Sequence, residues 1–215
     1  MNLITLTDPR SPVSESYRTL RTNLSLSSLD RPFRTLVITS AAPEEGKSTT
    51  IANLAVTMAQ GGKKTILVDC DLRRPSIHSI FGLSAEPGLT NMLLKEDGAP
   101  PLQKTEVDNL LVLTSGAKPP NPADLLGSNK LDKVIEQLME TADIILFDAP
   151  PVIAVTDAAV LGSKVDGVLL VVQAGKTRRD HAERAKEMLE KANVNIVGVT
   201  LTNAPKDGSI GGYYE

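Results

Sequence analysis

The stretch Ser40–Thr50, SAAPEEGKSTT, constrains this chain more than any other. Gly-Lys-Ser after a short loop cradles phosphate only where a strand feeds the loop and a helix leaves it. The flanks provide both. Upstream, Thr35-Leu-Val-Ile-Thr is apolar and β-branched, the pattern of a buried parallel strand. Downstream, Thr49–Gln60 spaces Ile51, Leu54, Ala55, Met58 and Ala59 at helical intervals, and Gly61-Gly62 stops it. Successive backbone N–H groups and the helix N-terminus then form an anion nest, with Lys47 reaching the terminal phosphates and Ser48 offering its hydroxyl to Mg²⁺. The candidate nucleotide-binding residues are Pro43, Glu44, Glu45, Gly46, Lys47, Ser48 and Thr49. The strict pattern wants Gly where Ala41 stands, which requires φ < 0 at that position. Glu44 and Glu45 are expected to point outward while the backbone binds phosphate.

Two further apolar runs end in acids. Lys64-Thr-Ile-Leu-Val-Asp69 continues as Cys70-Asp71-Leu72-Arg73, and Asp143-Ile-Ile-Leu-Phe-Asp148 continues as Ala-Pro-Pro. Leu110–Thr114, Val168–Val172 and Ile196–Leu201 read as the remaining strands, and Arg179–Lys191 as a crossover helix. Glu86–Leu94 reads as a turn and a short helix, and Lys118–Leu126 as a rigid loop leading into a helix that ends near Glu140. The alternation implies an α/β fold with a mostly parallel, doubly wound sheet and helices on both faces. Ligands in such sheets bind beyond the carboxyl ends of the strands, so Asp69, Asp71 and Asp148 should face the site the loop makes. Acids beside a triphosphate make sense with a cation between them, which implies Mg²⁺ held by Ser48, Asp71 and Asp148. Asn203 follows the last strand at the same edge; its amide reads an adenine or simply forms an Asn-x-Pro turn. His78 and His181 are isolated and receive no role.

At 215 residues the chain suits one large domain. A net charge of -3 argues against sequence-independent nucleic-acid binding, which needs a basic face. The single cysteine, Cys70, excludes a disulfide framework or a CxxC site and fits a reducing, cytoplasmic setting. No apolar run approaches the ~20 residues of a membrane span, and Met1–Pro12 lacks a signal-peptide core, so direct membrane insertion is not expected. Ser11-Pro12 starts a helix to about Ser25, with Glu15, Arg18 and Arg21 within about 120° of one another on one face. Residues 1–30 then form an appendage free to meet a neighbour, residues 31–205 the nucleotide-binding unit, and residues 206–215 a flexible Gly-rich tail. Two of the three tyrosines, Tyr213 and Tyr214, stand together on that tail, where exposed aromatics gain nothing from burial.

These features together resemble the catalytic domain of the bacterial tyrosine kinases, the family tied to capsule and exopolysaccharide export. The phosphate loop at Ala41–Ser48 resembles that family's loop, and Ile66-Leu-Val-Asp69-Cys-Asp71-Leu-Arg73 its second, apolar–Asp-x-Asp-x-Arg motif. Ile144-Ile-Leu-Phe-Asp148-Ala-Pro150 is similar to its Walker B motif, and Glu15, Arg18 and Arg21 to its oligomerisation helix. Pro119–Leu126 and Val152–Val172 also look like the family, so the resemblance covers nearly the whole chain. It implies the P-loop NTPase fold shared with septum-site and plasmid-partition ATPases (MinD/ParA-like), and ATP and Mg²⁺ as cofactors. It implies transfer of the γ-phosphoryl group to tail tyrosines, a ring-shaped homo-oligomer and a membrane adaptor that recruits the chain to the inner face of the plasma membrane. Lys47, Asp69, Asp71 and Asp148 become the catalytic set, with Asp69 favoured over Asp71 as the base that takes the tyrosine proton. The chain departs from the family in having two tail tyrosines rather than more, Glu44 where Gly is common, and Cys70 in place of a smaller residue. The rival is an ATP-switched positioning or scaffold protein, which carries an extra early lysine where this chain has Ala41 and Ala42; an iron–sulfur carrier is opposed by the single cysteine.

Overall fold

A computed structural model describes residues 3–27, 32–94 and 98–205. Tyr213 and Tyr214, with the rest of the expected tail, lie outside them. The strand at the centre of the chain's logic, β1 (Thr35–Ser40), is buried at every residue. It pairs in parallel with β5 (Ile144–Asp148) on one side and β6 (Gly167–Gln173) on the other. Beyond β5 lie β2 (Thr65–Asp69) and β4 (Leu110–Leu113), and beyond β6 lies β7 (Ile196–Thr202), all parallel. A two-residue strand, β3 (Gln103–Lys104), adds an antiparallel edge, giving the order β3-β4-β2-β5-β1-β6-β7 among the described residues.

Alternating side chains divide the core between the two sheet faces, the period-two rule that makes a doubly covered strand apolar throughout. Ile144 and Leu146 pack under α3 (Lys47–Gln60), together with Leu36, Ile38, Leu67 and Leu169. Ile145 and Phe147 face the opposite layer, built from α6 (Pro122–Gly127), α7 (Asn129–Met139), α8 (Asp157–Gly162) and α9 (Arg179–Lys191). The single helix expected to end near Glu140 is therefore two, α6 and α7. Ser128 takes an extended conformation (φ -69°, ψ 152°) between them.

The N-terminal segment is packed into the core, which corrects its reading as an appendage. A short helix, α1 (Ile4–Thr7), precedes α2 (Pro12–Leu26), and Leu3 and Leu24 are buried in the same cluster as α3. The backbone N–H and hydroxyl of Thr5 donate to Asn53 Oδ1 at 3.1 and 2.8 Å. Ser11 caps α2 as the sequence implies, its Oγ accepting from the Ser14 N–H at 3.2 Å. Arg18 pairs with Glu15 at 2.8 Å, a half-buried i,i+3 pair of small energetic value. Arg21 instead donates to the Thr57 carbonyl of α3 at 2.7 Å, where α3 nears its end. Arg21→Ala should lower unfolding stability by about 1 kcal/mol, while Glu15→Ala stays within about 0.5 kcal/mol. Denaturant titration of the two variants checks this; equal losses would contradict the docked arrangement of α2.

Candidate functional site

Three strand ends meet at one rim. Asp148 at the end of β5 lies in register with Ile38 of β1 and with Asp69 at the end of β2. The chain then bonds across that rim: Cys70 N–H donates to the Asp148 carbonyl at 2.9 Å, and Val152 N–H to the Ser40 carbonyl at 2.9 Å. Parallel pairing with β1 in the middle thus brings the phosphate loop and both acid-ended strands to one place, as the doubly wound topology requires.

The loop from Ala41 to Gly46 turns by alternating hand. Gly46 sits at φ +85° as the residue before α3, a conformation open to glycine at no steric cost. Glu44 is also left-handed, at φ +61°, where a side chain is strained and the family's glycine would not be. Ala41 keeps φ below zero, as its Cβ demands. Lys47, the first residue of α3, extends between two acids: Nζ lies 3.0 Å from Asp71 Oδ2 and 3.1 Å from Asp148 Oδ1. It also donates to Ser48 Oγ at 3.0 Å, and Ser48 donates in turn to Asp148 Oδ2 at 2.7 Å. Burial opposes the charge on Lys47, but Asp148 and Asp71 outweigh it and hold its pKa above the ordinary value. Asp148 is fully buried, and its pKa is raised because burial prevails over the Lys47 charge and the Ser48 bond.

The adjoining cleft, of about 450 Å³, is lined by residues 43–49, Asp71, Arg73, Arg74, Pro150, Pro151, Ala154 and Val155. Asp71 belongs to that lining and Asp69 does not. Asp69 turns inward instead: Oδ2 accepts from the Ser76 and Ile77 N–H groups, each at 3.0 Å, and Oδ1 from the Asp71 N–H at 3.2 Å. It therefore anchors the start of α4 (Ile77–Phe81). Burial first, then repulsion from Asp148, push its carboxyl up to about 8. Asp69 is thus enclosed by three backbone donors and set back from the cleft lining. Asp71 lines the cleft, one oxygen accepting from the Arg74 N–H at 3.0 Å and the other facing Lys47.

Glu45 also departs from expectation. It is 1% exposed and folded back onto the loop, while Glu44 does point to solvent, 3.8 Å from Lys176. Asp157, which sequence reasoning missed, is fully buried in the first turn of α8 and holds Arg73 by two bonds of 2.9 and 3.0 Å. That fork fixes the Asp71–Arg73 loop to the opposite layer; the signal available in sequence was an acid opening a short helix. Asn203 is exposed in a left-handed turn (φ +53°), directly after Thr202, whose hydroxyl reaches the Glu45 carbonyl at 2.8 Å. Cys70 is buried, its thiol pKa pushed up by burial and by the neighbouring acids, and it offers no exposed ligand. Among the described residues no three acids, cysteines or histidines group closely enough to hold a metal ion by themselves. A larger cleft of about 500 Å³ lies away from this rim, between the Asn91–Met92 turn of α5 (Leu89–Leu94) and Lys133 of α7.

Comparison with known proteins follows the same lines. The family described as ParA, NUBPL iron-transfer P-loop NTPase, matches residues 33–203. The tyrosine-protein kinase YwqD of Bacillus subtilis is 45% identical over 201 residues, covering 93% of this chain and 85% of that one. The crystal structure of the chimerical protein CapA2B2 aligns with a TM-score of 0.91 at 38% identity, over 95% of this chain and 90% of its own. The kinase domain of the Escherichia coli tyrosine kinase ETK aligns with a TM-score of 0.89 at 32% identity, over 97% and 82%.

The left-handed Glu44 yields a stability prediction. Relief of about 1–2 kcal/mol of backbone strain, less the greater entropy glycine loses on folding, should make Glu44→Gly about 0.5 kcal/mol more stable. Thermal unfolding measures this, and a destabilised variant would show that the Glu44–Lys176 contact outweighs the strain.

Proposed function

The chain belongs to the bacterial tyrosine-protein kinase family, and on that premise we propose that it transfers the γ-phosphoryl group of ATP to tyrosine hydroxyls, Tyr213 and Tyr214 of its own C-terminal segment among them. The observation that carries this reading is Lys47 held between Asp71 and Asp148 at the mouth of a cleft floored by the phosphate loop. In the reaction the phenolic oxygen forms a new P–O bond, the bond to the ADP oxygen breaks, and the phenol proton goes to a base. Phosphoryl transfer asks the protein for positioning and charge neutralisation more than for covalent chemistry. The loop N–H groups and the α3 N-terminus orient the phosphates, and the Lys47 ammonium leaves its acids to neutralise them. That departure frees an Asp71 oxygen at the cleft wall to accept the phenol proton, which a group of pKa ~10 needs near neutral pH.

The Ser48 hydroxyl and the Asp148 carboxylate are hard oxygen donors bonded to each other at 2.7 Å, a pair suited to Mg²⁺. When bound, the ion supplies positive charge to the phosphate oxygens. The adjoining Arg73, clamped by Asp157, keeps the Asp71 loop from drifting out of the cleft.

The same reading includes a homo-oligomeric ring, with the half-buried Glu15–Arg18 pair at an interface and each tail reaching a neighbouring cleft. It includes regulation of capsular or exopolysaccharide synthesis, and an adaptor that brings the chain to the membrane; the chimeric CapA2B2 neighbour supports such a partner. No helix of the described residues is long and apolar enough to cross a membrane. Accumulating about -1.5 to -2 charge per phosphotyrosine would loosen such a ring.

Two measurements test the proposal. Incubation with ATP and Mg²⁺, followed by phosphosite mapping, should place phosphate on Tyr213 or Tyr214, with none in Lys47→Met. ATP hydrolysis without modified tyrosine would favour the ATP-switched scaffold instead. Asp71→Asn should lower kcat for tyrosine transfer by about 10²-fold or more with little change in nucleotide affinity, the magnitude expected of general-base loss. Unchanged kcat would remove Asp71 from that role.

A further inference from the structure

Glu45 is an acid enclosed within a loop built to receive anions. Its two carboxylate oxygens are both used: one accepts from the Ala42 N–H at 2.9 Å, the other from the Thr177 hydroxyl. Thr177 stands on the turn after β6, fixed there because its Oγ accepts from the Gln173 N–H at 2.7 Å and its own N–H donates to the Gln173 carbonyl at 2.9 Å. The same turn reaches the loop again through Lys176 Nζ, which donates to the Glu44 carbonyl at 3.1 Å. Thr202, at the end of β7, donates to the Glu45 carbonyl at 2.8 Å. Two segments more than 120 positions away in sequence thus converge on residues 44 and 45.

The loop needs such ties. Left-handed residues on both sides of Glu45 give it no ladder of its own, and an anion nest works only when its N–H groups are already aimed. We propose that Glu45 is a positioning residue for nucleotide: its buried carboxylate ties the phosphate loop to Thr177 and so holds the loop's backbone donors in their receiving geometry. This rests on the reading of the loop as the nucleotide site and adds the device that shapes it.

Positioning and simple electrostatics have opposite signs here. A carboxylate near phosphate repels it, so if charge were its whole effect, removing it should tighten binding. If Glu45 positions the loop, removing it weakens binding, because the Ala42 N–H and the Thr177 hydroxyl lose a charged acceptor.

Titration of the full chain with a fluorescent ADP analogue and Mg²⁺ decides between them. Glu45→Ala should weaken affinity about tenfold, the factor a lost charge-assisted hydrogen bond is worth. Thr177→Val should weaken it in the same direction, and the double variant should be within about twofold of the weaker single one, since both break one tie. Glu45→Gln, which keeps an acceptor oxygen, should recover most of the loss. Should Glu45→Ala fail to fold, Thr177→Val and Glu45→Gln carry the test. Affinity that is unchanged or tighter in Glu45→Ala or in Thr177→Val, or a lower melting temperature with unchanged affinity, would overturn the proposal. The readout is nucleotide affinity, so a chain that binds ADP but modifies no tyrosine overturns the kinase reading alone.

Discussion

One ammonium shared by two buried carboxylates organises this site. Lys47 opens α3, Asp71 follows β2 and Asp148 ends β5, and their contacts of 3.0 and 3.1 Å keep those three segments converged. Burying such charges is costly, and removing one partner from a buried set typically destabilises by about 3–5 kcal/mol. One positive charge against two negative ones leaves a negative excess that a divalent cation can offset. In the proposed function the same ammonium would serve two partners in turn, the acids first and the phosphates afterwards. Its transfer between them would couple nucleotide arrival to release of Asp71.

What could be read from sequence followed from how strongly each element is over-determined. Strands buried on both faces, β1, β2, β5 and β6, appear as unbroken apolar runs, and those ending in acids announce the rim. The helix α9 was legible to its terminal residues, Arg179–Lys191, because its amphipathic pattern is unbroken. The short elements were not: β3 has two residues, α1 has four, and α8 has six, too few for a period to register. The docking of α2 was hidden because much of its inner face is polar. Ser14 is buried by bonding the Ile4 and Asp8 carbonyls, and Arg21 reaches α3 with its charged end.

The candidate site shows the same division. Lys47, Ser48, Asp71 and Asp148 could be placed from motif spacing, since the topology forces their strand ends together. Which acid faces the cleft could not, because Asp69 and Asp71 differ only in the direction the chain takes after β2. That direction is set by the N–H groups of Ser76 and Ile77 claiming Asp69. Nor does a loop acid such as Glu45 reveal that its partners are Ala42 and Thr177, the latter 132 positions away. Local sequence carries the motifs; long-range hydrogen bonds choose among their members.

In the proposed function Asp148, with Ser48, would form the cation side of the nucleotide site that Lys47 guards. Calorimetry of ADP binding with and without Mg²⁺, for the wild-type chain and Asp148→Asn, tests it most directly. Mg²⁺ should strengthen ADP binding to the wild type by about tenfold or more, and Asp148→Asn should lose most of that gain while remaining folded. An Asp148→Asn chain whose ADP affinity responds to Mg²⁺ as the wild type does would contradict it.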